Sequence, residues 1–270
     1  DALKQSGIET LATASAPAST AITPIAALLP TSRSVQVGDV ATAFATLINT
    51  LTVTASSCSI APPPGLPATF SYQTTDPATN ALVGTPDTPV DIAPDSLQTF
   101  MFAVTPTDAF DPTDIELTFD CTNTAPAPSV TGLNTLLLSA SNTPVPDIVA
   151  LAATPTGDGI VNLASSGAFS VATVNVGSSD TITTSADTGD ATLPVSITLC
   201  ETNPATGACI NPPAPTSGPV ATSIASGIDA ADVLPWSWTV TTTFSIGKFN
   251  RLAAAWIIRM LAWCGMNSLM

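Results

Sequence analysis

Two near-identical segments organise this chain: TTDPATNA at residues 74–81 and ETNPATGA at residues 201–208. Each follows an apolar run that begins with Leu-Pro, at residues 66–72 and 193–199. Asp-Pro or Asn-Pro starts a type I turn, because proline fixes φ at the second turn position, and asparagine or glycine tolerates the positive φ that closes it. The segments therefore predict a strand, a turn and a second strand at two places along the chain.

The composition indicates an all-β protein. Of the 270 residues, 45% are apolar and 9% are charged, so the chain can bury a core and is not of the disordered type. The 25 prolines, and the abundance of Thr, Ser and Val over Lys, Arg, Glu and Gln, disfavour helices. Many short strands between turn residues are typical of β-sandwiches, and this length accommodates two domains.

The net charge of −15 narrows the range of partners. A chain with 20 acidic and 5 basic residues would be repelled by nucleic acid and by anionic membrane surfaces. In the simplest interpretation the negative charge keeps the protein soluble. In the more specific interpretation it binds cations.

The five cysteines favour disulfides over a zinc site. The chain has no histidine and no CxxC pair, so zinc would need thiolates from scattered positions. Cys200 and Cys209 flank the second turn and face each other across a predicted hairpin. Cys58 and Cys121 lie beside predicted strands of the first unit, and Cys264 is left free. Two such pairs indicate an oxidising compartment outside the cytoplasm, and the start at an aspartate is consistent with a removed signal peptide.

An internal repeat divides the chain into two units. The sequence VQVG at residues 35–38 matches VNVG at residues 174–177, which together with the hairpins predicts a repeat of about 100 residues. The expected fold is all-β: two tandem immunoglobulin-like β-sandwiches between an extended N-terminal arm and a short helical C-terminal tail. The predicted boundaries are 1–31 for the arm, 32–142 for the first sandwich, 143–246 for the second and 247–270 for the tail.

Several stretches resemble repeat modules of proteins that are predicted to be secreted by proteobacteria and that have no assigned function. They are SRSVQVG at 32–38, FSYQTTDPATNALVGTP at 70–86, GLNTLLLS at 132–139, PVPDIVALAAT at 144–154 and the segment 193–207. The resemblance spans roughly residues 32–246. It implies an extracellular β-sandwich repeat and no catalytic activity.

The tail departs from that pattern. Residues 247–270 contain Lys248, Arg251 and Arg259 but no acidic residue and no proline, and their apolar spacing suits a helix. Arg259 and the short length argue against a membrane span. Three interpretations are open: a packed or interfacial helix, which is favoured, a membrane-touching anchor, or a tail read in a changed frame.

The inventory for catalysis is poor, which predicts that the chain is not an enzyme. There is no histidine and one tyrosine, so the common acid–base and nucleophilic arrangements cannot be assembled. The densest acidic group is Asp108, Asp111, Asp114 and Glu116, whose carboxylates could ligate calcium. A solvated acidic turn is the favoured interpretation of these residues, and no other cofactor is indicated.

The predicted function is a secreted structural or adhesive surface protein. Counted from the Leu-Pro landmarks, the second unit is shorter than the first and lacks one or two strands. The apolar residues of the leader, Ile22, Ile25, Leu28 and Leu29, could fill such a gap in a neighbouring chain and build a head-to-tail filament. Docking of the leader or the tail within one chain is the alternative form of this prediction. The rival function is a calcium-dependent or carbohydrate-binding extracellular module.

Overall fold

The computed structural model describes residues 23–157, 160–162, 166–188, 192–226, 236–244 and 251–253, and all regular structure in these ranges is β. The strands of the described residues are β1 (Ile25–Leu29), β2 (Ser32–Gln36), β3 (Ala41–Asn49), β4 (Ala55–Ala61), β5 (Ala68–Thr75), β6 (Val90–Ile92), β7 (Ser96–Pro106), β8 (Phe110–Glu116), β9 (Thr118–Asp120), β10 (Thr135–Ser141), β11 (Ile148–Ala153), β12 (Ile160–Asn162), β13 (Ser166–Asn175), β14 (Asp180–Thr184), β15 (Val195–Thr202), β16 (Cys209–Thr216), β17 (Val220–Ile224), β18 (Trp236–Phe244) and β19 (Arg251–Ala253).

Strands β1 to β10 form the first group. Their sheets have the orders β1-β3-β7-β5, β2-β10-β8 and β6-β4-β9. Only β2 and β10 pair in parallel within this group. Strands β8 and β9 follow one another almost without a break, so they connect the second and third sheets along one chain segment.

One apolar core lies between the sheets of the first group. It draws residues from the β1-β3-β7-β5 sheet, among them Leu47, Phe100 and Phe102, and from the other two sheets, among them Phe119 and Leu138. These side chains alternate with outward-facing residues along their strands, as expected for packed sheets. Because both layers contribute to one core, the first group is a β-sandwich.

Strands β11 to β19 form the second group. Their sheets have the orders β11-β13-β18-β15-β16, β14-β17 and β12-β19. The main apolar cluster includes Phe169, Val171 and Leu199, and a smaller one contains Ile148, Ile182 and Ile224. Every strand pairing of the described residues stays within one of the two groups.

Two predicted boundaries differ from the structure. Ile25–Leu29 pairs along its whole length with β3, so the first group begins inside the segment that was expected to be an arm. Arg251–Ala253 pairs with β12, so the second group extends beyond residue 246 into the expected helical tail. In both cases backbone hydrogen bonding to a neighbouring strand outweighs the local sequence pattern. The rest of the tail and the first 22 residues lie outside the described residues.

The motifs VQVG and VNVG, which were predicted to be equivalent, lie in strands that do not correspond. Val35 and Gln36 end β2, an edge strand that pairs with β10, whereas Val174 and Asn175 end β13, which is central in its sheet. The strand that corresponds to β13 is β3, since both alternate buried and partly exposed residues and both end on a buried asparagine, Asn49 or Asn175. A two-residue alternation fits any strand. So short a motif therefore cannot show which strands of the two groups correspond.

Candidate functional site

The four acidic residues of the calcium prediction lie along an exposed edge of the first group. Asp111, Asp114 and Glu116 are exposed residues of β8, and Asp108 precedes that strand. Asp108 accepts a hydrogen bond from the backbone N–H of Ala109. A strand spaces its residues about 3.3 Å apart, which spreads these carboxylates instead of converging them. Within the described residues, no three His, Cys, Asp or Glu side chains come together in a way that could hold a metal ion.

The leader residues of the assembly-strand prediction are part of the chain's own sheet. Ile25, Leu28 and Leu29 belong to β1, and the side chain of Leu28 is buried in the first core. Leu28 N–H also donates to the carbonyl of Leu133, at 2.9 Å. The structure thus corrects donation of these three residues to a neighbour, because β1 pairs along its whole length with β3 of the same chain and Leu28 is buried in that chain's own core. Ile22 lies outside the described residues.

The structure joins the cysteines in the pairs that the sequence favours. Cys58 is bonded to Cys121 with a Cα–Cα distance of 4.0 Å, and both side chains are buried. Since Ser59 pairs with Asp120, this disulfide links Cys58 in β4 to the residue that directly follows β9, next to the last pair of the two strands. Cys264 lies outside the described residues.

The second disulfide crosses an irregular hairpin. Cys200 is bonded to Cys209 with a Cα–Cα distance of 5.6 Å. Cys209 is paired with Thr202, and the register of β15 and β16 shifts around Glu201. The bridge is therefore diagonal, and the predicted face-to-face geometry is corrected by this irregularity.

The two turns are the same structure in atomic detail. In the first, the N–H of Asp76 donates to the carbonyl of Ala81 at 2.8 Å, and in the second the N–H of Asn203 donates to that of Ala208 at 2.9 Å. Asn80 and Gly207 occupy the positive-φ position, at 57° and 70°. This confirms the turn chemistry that the repeated octapeptide predicts.

The first residue of each turn caps it with a side-chain oxygen. Asp76 Oδ1 accepts hydrogen bonds from the N–H groups of Ala78 and Thr79, both at 2.9 Å, and Asn203 Oδ1 accepts the equivalent pair. These two backbone donors, followed by the hydroxyl of Thr79, lower the pKa of Asp76 below its ordinary value of 3.8. An aspartate and an asparagine thus perform the same Asx-turn role, but only one of them titrates.

The two buried asparagines at the strand ends are a feature that the sequence analysis missed. Asn49 Oδ1 accepts from the N–H of Leu51 at 3.0 Å, and Asn49 Nδ2 donates to the carbonyls of Val53, Ile92 and Ala93. Each of these asparagines is almost fully buried. A polar residue in phase with the apolar face of a strand was the available signal, because such a position demands specific partners.

Asn175 does the same work in the second group. Its Oδ1 accepts from the N–H groups of Gly177, at 3.0 Å, and of Asp147, at 2.9 Å. Its Nδ2 donates to the carbonyls of Ser178 and Ala225. Asn175 therefore ties the central strand both to its own group and to the segment that leads in from the first group.

A buried ion pair joins the two groups. The guanidinium of Arg33 in β2 lies 2.7 Å from the carboxylate of Asp147, with 10% and 4% of the side chains exposed. The N–H of Ser34 donates to the other Asp147 oxygen at 3.0 Å. The same guanidinium donates to the backbone carbonyl of Thr42, so the pair is anchored on both sides. We call Arg33, Asp147, Asn175 and Gly177 the joint.

Glycine is required at position 177 of the joint. A methyl group there would collide with the carbonyl oxygen of Val145 and would lie 2.5 Å from the N–H nitrogen of Asp147. The N–H of Ser178 donates to Val145 at 3.0 Å and that of Val176 donates to Asp147 at 2.8 Å. The segment between the groups is thus held to the second group by backbone hydrogen bonds at Val145 and Asp147.

Comparisons with known proteins contribute little beyond this geometry. No family model and no curated protein matches the chain. One similar solved structure is described as a chaperone–tip adhesin complex of CFA/I fimbriae biogenesis, with 10% identity, a TM-score of 0.24, and coverage of 84% of this chain and 96% of that one. A TM-score of this size carries no argument about fold or function. In the part of the chain that the structure describes, no helix has the length and apolarity to cross a membrane.

Proposed function

We propose that the chain is a non-enzymatic structural or adhesive module that works outside the cytoplasm, built from two tandem immunoglobulin-like sandwiches. The first group supports the fold assignment, since two layers of mostly antiparallel strands enclose one core. The central strands of the second group repeat the order β3-β7-β5 as β13-β18-β15. The buried asparagines and the matched turns extend this correspondence from strands to single hydrogen bonds.

The two disulfides support the compartment. Each disulfide joins two cysteines that are close in the fold. Loss of one would weaken the first group, and loss of the other would weaken the second. Disulfides of this kind persist in secreted and cell-surface proteins and are reduced in the cytosol.

The joint is the observation that carries the proposal. A buried, multiply hydrogen-bonded ion pair between two sandwiches fixes their relative orientation, whereas a flexible linker would leave it free. A module that spaces or displays a surface needs a fixed orientation. A structural or adhesive repeat would use a fixed orientation of this type between one sandwich and the next.

Two measurements test the proposal. Alkylation of thiols in intact source cells should leave Cys58, Cys121, Cys200 and Cys209 unmodified until a reductant is added. Small-angle scattering of the purified full chain should fit one fixed arrangement, which Asp147→Ala and Gly177→Ala loosen, while Asp39→Ala at an exposed site leaves it unchanged. Reduced cysteines in the source cells, or an equally variable wild-type arrangement, would overturn it.

A filament assembled by strand donation is the second form of the proposed function. In the first group β10 lies between β2 and β8, whereas among the described residues of the second group β12 pairs directly with β19. A donated strand would have to take the place between β12 and β19 that β10 has between β2 and β8. The donor would have to come from outside β1, so the informative deletion removes residues 1–22 and keeps Ile25–Leu29. Fibres that persist after this deletion, or a wild-type chain that forms none, would contradict donation by the leader. No described residue cluster favours the calcium-dependent or carbohydrate-binding alternative.

A further inference from the structure

The solvent-facing side of the β1-β3-β7-β5 sheet differs in charge from the opposite layer of the first sandwich. None of the residues in these four strands is Asp, Glu, Lys or Arg, although the chain carries 20 acidic residues. The strands of the opposite layer include Asp91, Asp111, Asp114, Glu116 and Asp120. The first sandwich therefore has one acidic side and one uncharged side.

The uncharged side is also apolar and exposed. Two rows of cross-strand neighbours cross it, one of Ile25, Ile48 and Leu97, the other of Leu29, Phe44 and Met101. We call these six residues the outer face. Four of them, namely Ile25, Leu29, Phe44 and Leu97, are 40% to 52% exposed. A row of small uncharged residues, Ala27, Thr46 and Thr99, lies between the two apolar rows. Exposed apolar residues grouped on one side of a sheet in this way mark interaction surfaces.

We infer that the outer face binds the outer face of a second copy of this chain. Two molecules of net charge −15 repel each other in most orientations. Packing the uncharged sheets back to back places both acidic layers on the outside, at the largest separation that contact allows. The same patch then serves both copies, which is the isologous arrangement of a two-fold dimer.

The size of the face fits a specific but modest interface. The whole side of the sheet to which the outer face belongs has four strands about 4.8 Å apart and about 3.3 Å per residue over the length of β3, and so measures about 19 Å by about 30 Å. Two such faces bury about 1,100 Å², close to the value of about 1,000 Å² that a specific interface needs. We expect a dimer that dissociates on dilution, with strands of the facing sheets aligned as in a sandwich.

This inference deepens the proposed function and rests on it, because it names the partner of one surface of the structural module. Its failure is distinguishable, since stoichiometry is independent of thiol protection and of the rigidity of the joint. It is also distinct from strand donation, because an isologous contact closes at two copies whereas a donated strand continues indefinitely.

Sedimentation of the full chain from about 1 μM to about 300 μM tests the inference. The wild type should pass from monomer to dimer, and more strongly at high salt, because salt screens the repulsion between the acidic chains. Phe44→Glu, and independently Leu97→Glu, should lower the association constant at least about 100-fold, since each places a charge from both copies in the contact. Leu151→Glu, at an equally exposed apolar site in β11 of the second group, should not lower it, and circular dichroism checks that each variant is folded.

Three outcomes would overturn the inference. The first is a wild type that stays monomeric at the highest concentration, which would leave the outer face to a different partner. The second is a dimer that survives both glutamate substitutions. The third is open-ended growth that Phe44→Glu does not affect, which would indicate strand donation.

Discussion

The two hairpins share one turn but hold their returning segments by different means. In the first, Gln73 Nε2 donates to the carbonyls of Val83 and Gly84, and the returning segment forms no strand but a bridge between Thr75 and Leu82 and a backbone hydrogen bond from Asp87 to Tyr72. In the second, Cys200 replaces the glutamine and forms the disulfide, and β16 continues for eight residues. The turn is thus fixed by its own residues, whereas the extent of the strands beyond it depends on what crosses between them.

The two groups also differ in where their disulfides lie. The first group has its disulfide between β4 and the residue that follows β9, and its hairpin is held by hydrogen bonds. The second has its disulfide in the hairpin itself. A staple between distant segments restrains the whole unfolded group, while one across a turn restrains only that turn.

The largest expected effect is therefore a difference between the disulfides. Cys58 and Cys121 close a loop with a sequence separation of 63, and Cys200 and Cys209 close one of 9. We expect the double variant Cys58→Ala/Cys121→Ala to lose about 4 kcal/mol of unfolding free energy and Cys200→Ala/Cys209→Ala about 2.5 kcal/mol. Urea denaturation monitored by circular dichroism measures both. Equal losses would show that strain in the folded state, and not the chain entropy of the unfolded state, determines how much each disulfide stabilises the protein.

Next in size are the buried asparagines. Asn49→Ala removes the hydrogen bonds that the buried carbonyl of Ile92 and the partly buried carbonyls of Val53 and Ala93 accept, and we expect a loss of about 2–3 kcal/mol. Asn175→Ala should cost a similar amount and in addition loosen the joint, which scattering detects. Asn142→Ala, at an exposed position, is the matched control. A loss below that of the control at either site would contradict the role of these side chains.

Local features could be predicted from the sequence and long-range features could not. The turns and the cysteine pairs follow from residues that are close in sequence or that have few possible partners. The pairing of Arg33 with Asp147 spans 114 residues and needs the fold to bring β2 beside the start of β11. The signal that was available, a lone arginine in the strand SRSVQ, shows that a partner is needed but not which one.

The incorrect match between VQVG and VNVG has a physical cause as well. Valine flanking a polar residue satisfies the alternation of any half-buried strand, so VQVG and VNVG match without being equivalent. What identifies Asn175 is the hydrogen bond that its Oδ1 accepts from the N–H two residues later, which Asn49 also accepts. Equivalent positions in divergent repeats are therefore better recognised by buried polar residues than by alternation.

A smaller effect separates the two positive-φ positions. Asn80→Gly should change the unfolding free energy by only a few tenths of a kcal/mol, since both residues adopt φ near 57° and glycine gives up only the local preference of asparagine. Gly207→Ala should cost about 1 kcal/mol, because a Cβ disfavours this conformation. Gly207→Asn is the matched control and should be milder than alanine. Denaturation midpoints for the three variants test the order, and an alanine as stable as the wild type would refute it.

The smallest expected effect concerns acid and distinguishes the turns by their first residue. Hydrogen bonds from Ala78 and Thr79 lower the pKa of Asp76, so its contribution to stability is complete above the unfolded value near 3.8 and is lost as the pH falls through the lower folded value. Asn203 does not titrate, so the second turn should keep its capping bonds. Hydrogen exchange at the amides of residues 78 and 79 should therefore accelerate on acidification from about pH 5 to about pH 2 relative to that at residues 205 and 206, after correction for intrinsic rates. Asp76→Asn makes the first turn chemically like the second and should abolish the difference. If the difference persists in Asp76→Asn, its source lies in the strands that flank the turns and not in the capping carboxylate.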